Sequence, residues 1–140
     1  MDGVISLIKP PGITSHDAIG ICRRILKERR IGHSGTLDPL AYGVLPIFVG
    51  KATRAIEYTE SIGKTYVAEC KLGIETDTED STGNVLRTID ISKAPSWDVL
   101  EHAVQSFQGA IEQRPSRYSA IKINGQRAYD LARAGVEFEL

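Results

Sequence analysis

Residues 32–46 read GHSGTLDPLAYGVLP, with glycines at 32, 35 and 43 and prolines at 39 and 46. So many chain breakers make this stretch a loop between the regular elements on either side. It surrounds one carboxylate, Asp38. Pro39 biases Asp38 away from helical geometry and toward an extended one. Gly35 and Gly43 permit backbone angles or close approaches that other residues resist. Such a loop can hold a carboxylate at a fixed, exposed point. A carboxylic acid of ordinary acidity is ionised at neutral pH, so it can attack or abstract a proton with no activating base. Taken alone, an Asp-Pro pair reads first as a turn whose carboxylate caps backbone N–H groups.

Short elements surround the loop. Residues 4–8 read as an apolar strand stopped by Pro10-Pro11-Gly12. Ser15 suits a helix N-cap, with Asp17 in the first turn opposing the helix dipole. Ala18, Ile21, Cys22, Ile25 and Leu26 then fall on one helical face. Arg23, Arg24, Lys27, Arg29 and Arg30 crowd the end of that helix, more cations than the dipole alone requires. After the loop, VLPIFVG reads as a strand, which Pro46 assigns to an edge, a bulge or a strand start. KATRAIEYTESIG reads as a helix closed by Gly63. In KTYVAECKLG, Tyr66, Ala68, Cys70 and Leu72 alternate with Thr65, Val67, Glu69 and Lys71, the pattern of a half-buried strand. IETDTEDSTGN is an acidic, turn-rich loop, and VLRTIDI a further strand. Ser96 suits the cap of a helix over 97–108, with Leu100, Ala103, Val104 and Phe107 on one face and Gly109 at its end. Asn124-Gly125 signals a tight turn, and a short helix over 128–134 stops at Gly135. Val136, Phe138 and Leu140 alternate with Glu137 and Glu139, a strand pattern that leads us to expect a chain cut inside a larger sheet.

The 140 residues, 41% hydrophobic and 25% charged, fit one soluble globular domain with a modest core. No apolar run approaches the roughly 18 residues of a membrane span. Lys9 follows the first apolar run instead of preceding it, unlike a secretory signal. Cys22 and Cys70 match no metal spacing and read as two buried, reduced thiols of a cytoplasmic protein. The acidic stretch DTEDSTGN does not have the ligand spacing of an EF-hand calcium loop. Net charge is −1, unevenly spread: 1–64 and 114–140 are cation-rich, 65–113 anion-rich. A basic face for a polyanion and scattered solvated charge both fit that distribution.

The loop string closely resembles the catalytic motif of the TruB family of pseudouridine synthases. LIKPPGITSHDAI is similar to the family's first motif, through Lys9, Pro10 and Gly12. KTYVAECKLGIETDTEDSTG is similar to its tyrosine-bearing segment leading into a Thr-Asp-Thr loop, and FQGAIEQRPSRYSAIKINGQRAYDLARAG to the segment after that. The resemblance spans nearly the whole chain. It implies an α+β fold, with a mixed, mainly antiparallel sheet and flanking helices. It implies an RNA isomerase that converts uridine 55 in the T-loop of tRNA to pseudouridine, of the standalone bacterial type more than the guide-RNA-dependent one. Asp38 would be the catalytic residue, attacking C1′ of a flipped uridine or removing its 2′ proton. His33 would fill the space the flipped base leaves, and Tyr66 would stack on the uracil. Read without the resemblance, these are a polar loop histidine and a core tyrosine. Asp80 would pair with and orient an arginine, while Lys9 and Tyr118 would complete the substrate-binding set. Arg23, Arg24, Lys51, Arg54, Arg114, Arg117 and Lys122 are candidate phosphate contacts. No metal, cofactor, protein partner or membrane is implied; the partner is the tRNA T-stem-loop and the location the cytoplasm.

The chain also departs from the family pattern. A later motif, roughly Gly-Thr-Tyr-Ile-Arg, whose arginine sits against the catalytic carboxylate, is not in these residues, nor is a PUA-type RNA-binding domain. Residues 1–140 are therefore expected to be a partial catalytic domain, inactive or nearly so alone. Two rival readings stand beside the isomerase. One is a non-catalytic tRNA-binding or folding module. The other is an aspartate-nucleophile hydrolase of phosphate esters, which would require Mg²⁺.

Overall fold

The computed structural model describes residues 1–59 and 63–140, which divide into two units, Met1–Val67 and Ala68–Leu140. The first unit contains β1 (Gly3–Lys9), α1 (Ser15–Leu26), β2 (Ile31–His33), β3 (Gly43–Val49) and a 3₁₀ helix (Gly50–Thr59). β3 is the centre of a three-stranded sheet, antiparallel to β1 on one side and β2 on the other. Alternate residues of a strand share a face. Leu45, Ile47 and Val49 of β3 therefore point together, and with Ile31 and Leu37 they pack on Ala18, Ile19 and Cys22 of α1. Burying an aliphatic side chain of this size contributes roughly 1.5–3 kcal/mol, so this layer is the main source of the unit's stability.

Local rules misplace three features of this unit. Thr14, not Ser15, caps α1: its Oγ accepts the Asp17 N–H at 3.0 Å while the Asp17 carboxylate accepts the Thr14 N–H at 2.9 Å. This reciprocal capping box frees Ser15 to enter the buried face. That face runs Ser15, Ala18, Ile19, Cys22, and leaves Ile25, expected in the core, 72% exposed. Pro46 lies in the central strand and not at an edge. Its C=O accepts the Ser34 N–H at 3.1 Å, so its missing N–H faces the same side, where β2 has already left the ladder at His33–Ile47. No ladder bond is lost there, which removes the usual objection to an internal proline. Residues 50–59 wind as a 3₁₀ helix instead of an α-helix. The Thr53 hydroxyl donates to the Gly50 carbonyl at 2.9 Å and the Thr59 hydroxyl to that of Ile56 at 2.7 Å, both three residues back, a spacing that matches the tighter turn. The expected closure at Gly63 lies partly outside the described residues.

In the second unit, β4 (Ile74–Thr76) pairs antiparallel with β5 (Val85–Thr88), followed by α2 (Trp97–Gln105), the hairpin β6 (Lys122–Ile123) and β7 (Gln126–Arg127), and α3 (Ala128–Arg133). Asn124 and Gly125 both have positive φ, 50° and 85°, which is the two-residue turn that Asn-Gly favours. α3 ends in a Schellman motif: Gly135 N–H donates to the Ala132 carbonyl and Val136 N–H to that of Leu131. Ala128 is the only buried apolar residue described in this unit. Three strand or helix expectations fail for that reason. Residues 64–73 form no ladder, because no neighbouring strand is described beside them; Cys70 is exposed, not buried. α2 stops at Gln105, and its apolar face is left open, with Phe107 73% exposed. Residues 136–140 are irregular, with the Val136 N–H committed to the α3 cap.

The α+β expectation holds: among the described residues, helices accompany ladders that are all antiparallel, distributed over three small sheets. Among the described residues, no helix is long and apolar enough to cross a membrane.

Candidate active site

The loop between β2 and β3 is fixed on both sides of Asp38. Before it, Leu37 is buried, and its backbone is gripped by Ser15 of α1. The Ser15 hydroxyl accepts the Leu37 N–H at 2.9 Å and donates to the Leu37 carbonyl at 3.0 Å. After it, the Pro39 carbonyl accepts the Gly12 N–H at 2.8 Å and the Lys9 ammonium at 3.2 Å. Lys9 also donates to the carbonyls of Ile13 at 2.8 Å and Pro10 at 2.9 Å. The Asp38 carbonyl itself accepts the Ala41 N–H at 3.0 Å, closing a turn. The carboxylate stands exposed at the centre of this arrangement. Gly35 supplies the one left-handed angle in the loop, φ 71°. Gly43 is an ordinary strand residue; the close approaches belong to Gly32 and Gly35, where an added Cβ would come within 2.7 Å of Ile56 and 2.6 Å of Lys64.

Lys9, expected in the substrate-binding set, is instead an internal clamp. It is 0% exposed, with its ammonium enclosed by three carbonyls. Buried charges require such partners.

A cleft of ≈ 1080 Å³ opens beside the loop. Leu37 and Leu40, on either side of Asp38, line it, together with His33, Tyr42, Phe48 and Tyr66. Tyr66 is 62% exposed and sits on no strand, so its ring is not the core residue that alternation suggests. His33 pairs with Ile47 in the sheet and is half-buried. Its Nδ1 is buried without a hydrogen-bond partner among the described residues. Burial, and secondarily the charge of His16, hold its imidazole below the ordinary histidine range, so it is poised to remain neutral. Arg23 donates to the Ile31 carbonyl at 3.2 Å; Arg24, Lys51 and Arg54 are exposed.

The remaining expected residues lie in the second unit. Asp80 is not paired with an arginine among the described residues. Its Oδ1 accepts the Thr82 hydroxyl at 2.5 Å, the Thr78 hydroxyl at 2.7 Å and the Thr82 N–H at 2.8 Å. These bonds, the Thr82 hydroxyl foremost, hold its carboxyl below the usual range and make it the organiser of the β4–β5 turn. Arg117 donates to the Val136 carbonyl at 3.2 Å and lies 4.7 Å over the Phe138 ring. Tyr118 is half-buried, and Arg114 and Lys122 are exposed.

Sequence reasoning missed Ser15 as a clamp, and Tyr42 and Lys64 as walls of the cleft. Ser15 had a signal: it is in phase with Ala18, Ile19 and Cys22. The cleft residues had none, because strand neighbours do not reveal which loop turns back over them. No cluster of metal-ligating side chains occurs among the described residues.

Residues 23–140 match the model of the TruB family pseudouridylate synthase (N terminal domain). The chain is 48% identical over 139 residues to tRNA pseudouridine synthase B of Streptococcus mutans, covering 99% of this chain and 47% of that protein. It is 51% identical over 138 residues to tRNA pseudouridine synthase B of Streptococcus agalactiae, covering 98% and 47%. A solved H/ACA ribonucleoprotein bound to a substrate RNA containing 2′-deoxyuridine aligns over 40% of this chain and 18% of its own, with 50% identity and a TM-score of 0.39. The chain spans about half the length of the curated relatives it matches. The family model takes in the Asp38 loop and the relatives match nearly the whole chain, and the chain belongs to the TruB family of pseudouridylate synthases.

Proposed function

We propose that this chain carries the aspartate-bearing part of an enzyme that isomerises uridine to pseudouridine in the T-stem-loop of tRNA. The observation that carries the reading is the exposed carboxylate of Asp38, clamped through both neighbouring residues at the edge of an apolar cleft containing Tyr66. In one route the carboxylate bonds to C1′ as the C1′–N1 bond breaks and its electrons pass to uracil. The base turns, C5 bonds to C1′, the carboxylate leaves, the C5 proton is released, and N1 takes up a proton. In the other route Asp38 removes a 2′ proton as the C1′–N1 bond breaks, giving a glycal and the uracil anion; C5 then adds to C1′ as the proton returns to C2′, and the C5 proton is exchanged for one on N1. Both routes are isomerisations with no net oxidation or reduction, and neither calls for a cofactor.

The base must leave its stack, which costs a few kcal/mol. Stacking on Tyr66 returns roughly 1–3 kcal/mol. His33, neutral and half-buried beside the loop, fits the volume the base vacates. The arginine expected against Asp38 belongs to the later family motif. It would hold the carboxylate ionised and oriented, and the chain alone is then expected to be inactive or nearly so.

The test joins this chain to the C-terminal portion of the Streptococcus agalactiae relative and assays the chimaera on a T-stem-loop RNA. Turnover is expected from the chimaera, none from its Asp38→Asn variant, and RNA binding from both. RNA binding with no turnover by the unmutated chimaera would favour the binding-module reading. Turnover abolished by EDTA would point to the metal-dependent hydrolase class.

A further inference from the structure

The end of the first unit away from Asp38 is strongly cationic. α1 finishes with Arg23, Arg24 and Lys27, and Arg29 and Arg30 follow before β2. The Gly50 N–H donates to the Arg30 carbonyl at 2.7 Å, which brings the start of the 3₁₀ helix, with Lys51 and Arg54, to the same end. β3 separates this end from the loop: its 7 residues span roughly 20 Å at about 3.3 Å each. Lys27, Arg29, Arg30, Lys51 and Arg54 are all exposed.

The acidic groups of this end are committed elsewhere. Glu28 accepts the Arg30 backbone N–H at 2.9 Å and lies 4.0 Å from the N-terminal ammonium. Asp2 accepts the Lys51 backbone N–H at 2.6 Å. Among the described residues neither carboxylate neutralises a side-chain cation. The helix dipole favours one or two cations in a last turn, and the cluster extends beyond α1 onto a second element that this effect does not reach. Exposed cations clustered from separate elements are what a phosphodiester backbone binds, by displacing its condensed counterions.

We infer that Lys27, Arg29, Arg30, Lys51 and Arg54 form a second contact for RNA, gripping the backbone of a stem about 20 Å from the nucleotide presented to Asp38. An RNA duplex rises by less than the roughly 3.4 Å per step of B-DNA, so that distance is at least about six base pairs. The patch reads no sequence; it senses whether a stem is long enough to arrive. The inference rests on the RNA substrate proposed above, and extends it from the reacting nucleotide to the length of its stem.

The test measures binding of the 140-residue chain to two hairpins with the same loop, one with a three-base-pair stem and one with a seven-base-pair stem, as a function of salt. The unmutated chain is expected to bind the long stem at least about tenfold more tightly. Lys27→Gln/Arg29→Gln/Arg30→Gln is expected to lose most of that preference and to lower the slope of log K against log salt by about 2–3, near 1 per contact removed. These side chains are exposed, and an unchanged circular dichroism melt verifies the fold. A slope and stem preference equal to those of the unmutated chain would overturn the inference. So would failure of the unmutated chain to prefer the long stem, or capture by phosphatidylserine vesicles in place of RNA. Asp38-dependent turnover of the chimaera, with no stem preference, would remove this contact and leave the isomerase reading intact.

Discussion

Asp38 depends on a serine that sequence reasoning had placed in another role. Ser15 is 2% exposed, and its one hydroxyl serves both backbone groups of Leu37. Ser15→Ala leaves a buried N–H and C=O unpartnered and is expected to cost about 1–3 kcal/mol in urea unfolding. A loss below about 0.5 kcal/mol, the size of a neutral surface change, would mean the clamp is dispensable. His33 gives a pH signature. Its folded-state affinity for protons is lowered by burial, while the unfolded imidazole titrates near its ordinary value of about 6.5. As pH falls through that value, the unfolded chain takes up a proton that the folded chain resists, so stability falls. The loss ends only once the folded imidazole also protonates. Unfolding midpoints at pH 7.5 and 5.5 are expected to converge in His33→Gln, and an unchanged pH dependence in that variant would contradict the burial argument.

At the scale of elements, legibility followed how local the determinant is. The Asn124-Gly125 turn was readable because both residues set their own backbone angles, and the structure has both at positive φ. Gly125→Ala forces a Cβ into that region, at about 1–2 kcal/mol. It is expected to speed amide exchange at Ala128 and Tyr129, whose N–H groups donate to the Ile121 and Ser119 carbonyls. Unchanged exchange there would show that the turn does not hold this segment. The extent of α1 was readable too, but its cap was off by one residue, because Thr14 and Ser15 are chemically alike and only burial distinguishes them. Pro46, read as marking an edge, a bulge or a strand start, lies inside the central strand; a sequence does not show that β2 stops short of it. The strands expected at 64–73 and 136–140 followed a sound alternation rule that needs a neighbouring strand to act on. Of the site, the Asp38 loop was legible through its motif. The burial of Lys9 and the self-contained bonding of Asp80 were not, since both depend on carbonyls and hydroxyls that no side-chain pattern announces.

For the whole molecule, the two units differ in how much they bury. The first has a packed layer of α1 on the sheet; the second has Ala128 as its one described buried apolar residue. The chain spans about half the length of the curated relatives it matches. The most direct measurement is release of tritium from [5-³H]uridine in a T-stem-loop RNA by the chimaera described above, because C5 must give up its hydrogen to become the glycosidic carbon. The account expects release from the chimaera carrying Asp38, and at least a 10³-fold slower rate, roughly 4 kcal/mol in the barrier, from Asp38→Asn with RNA binding retained. Comparable release from the two proteins would contradict it.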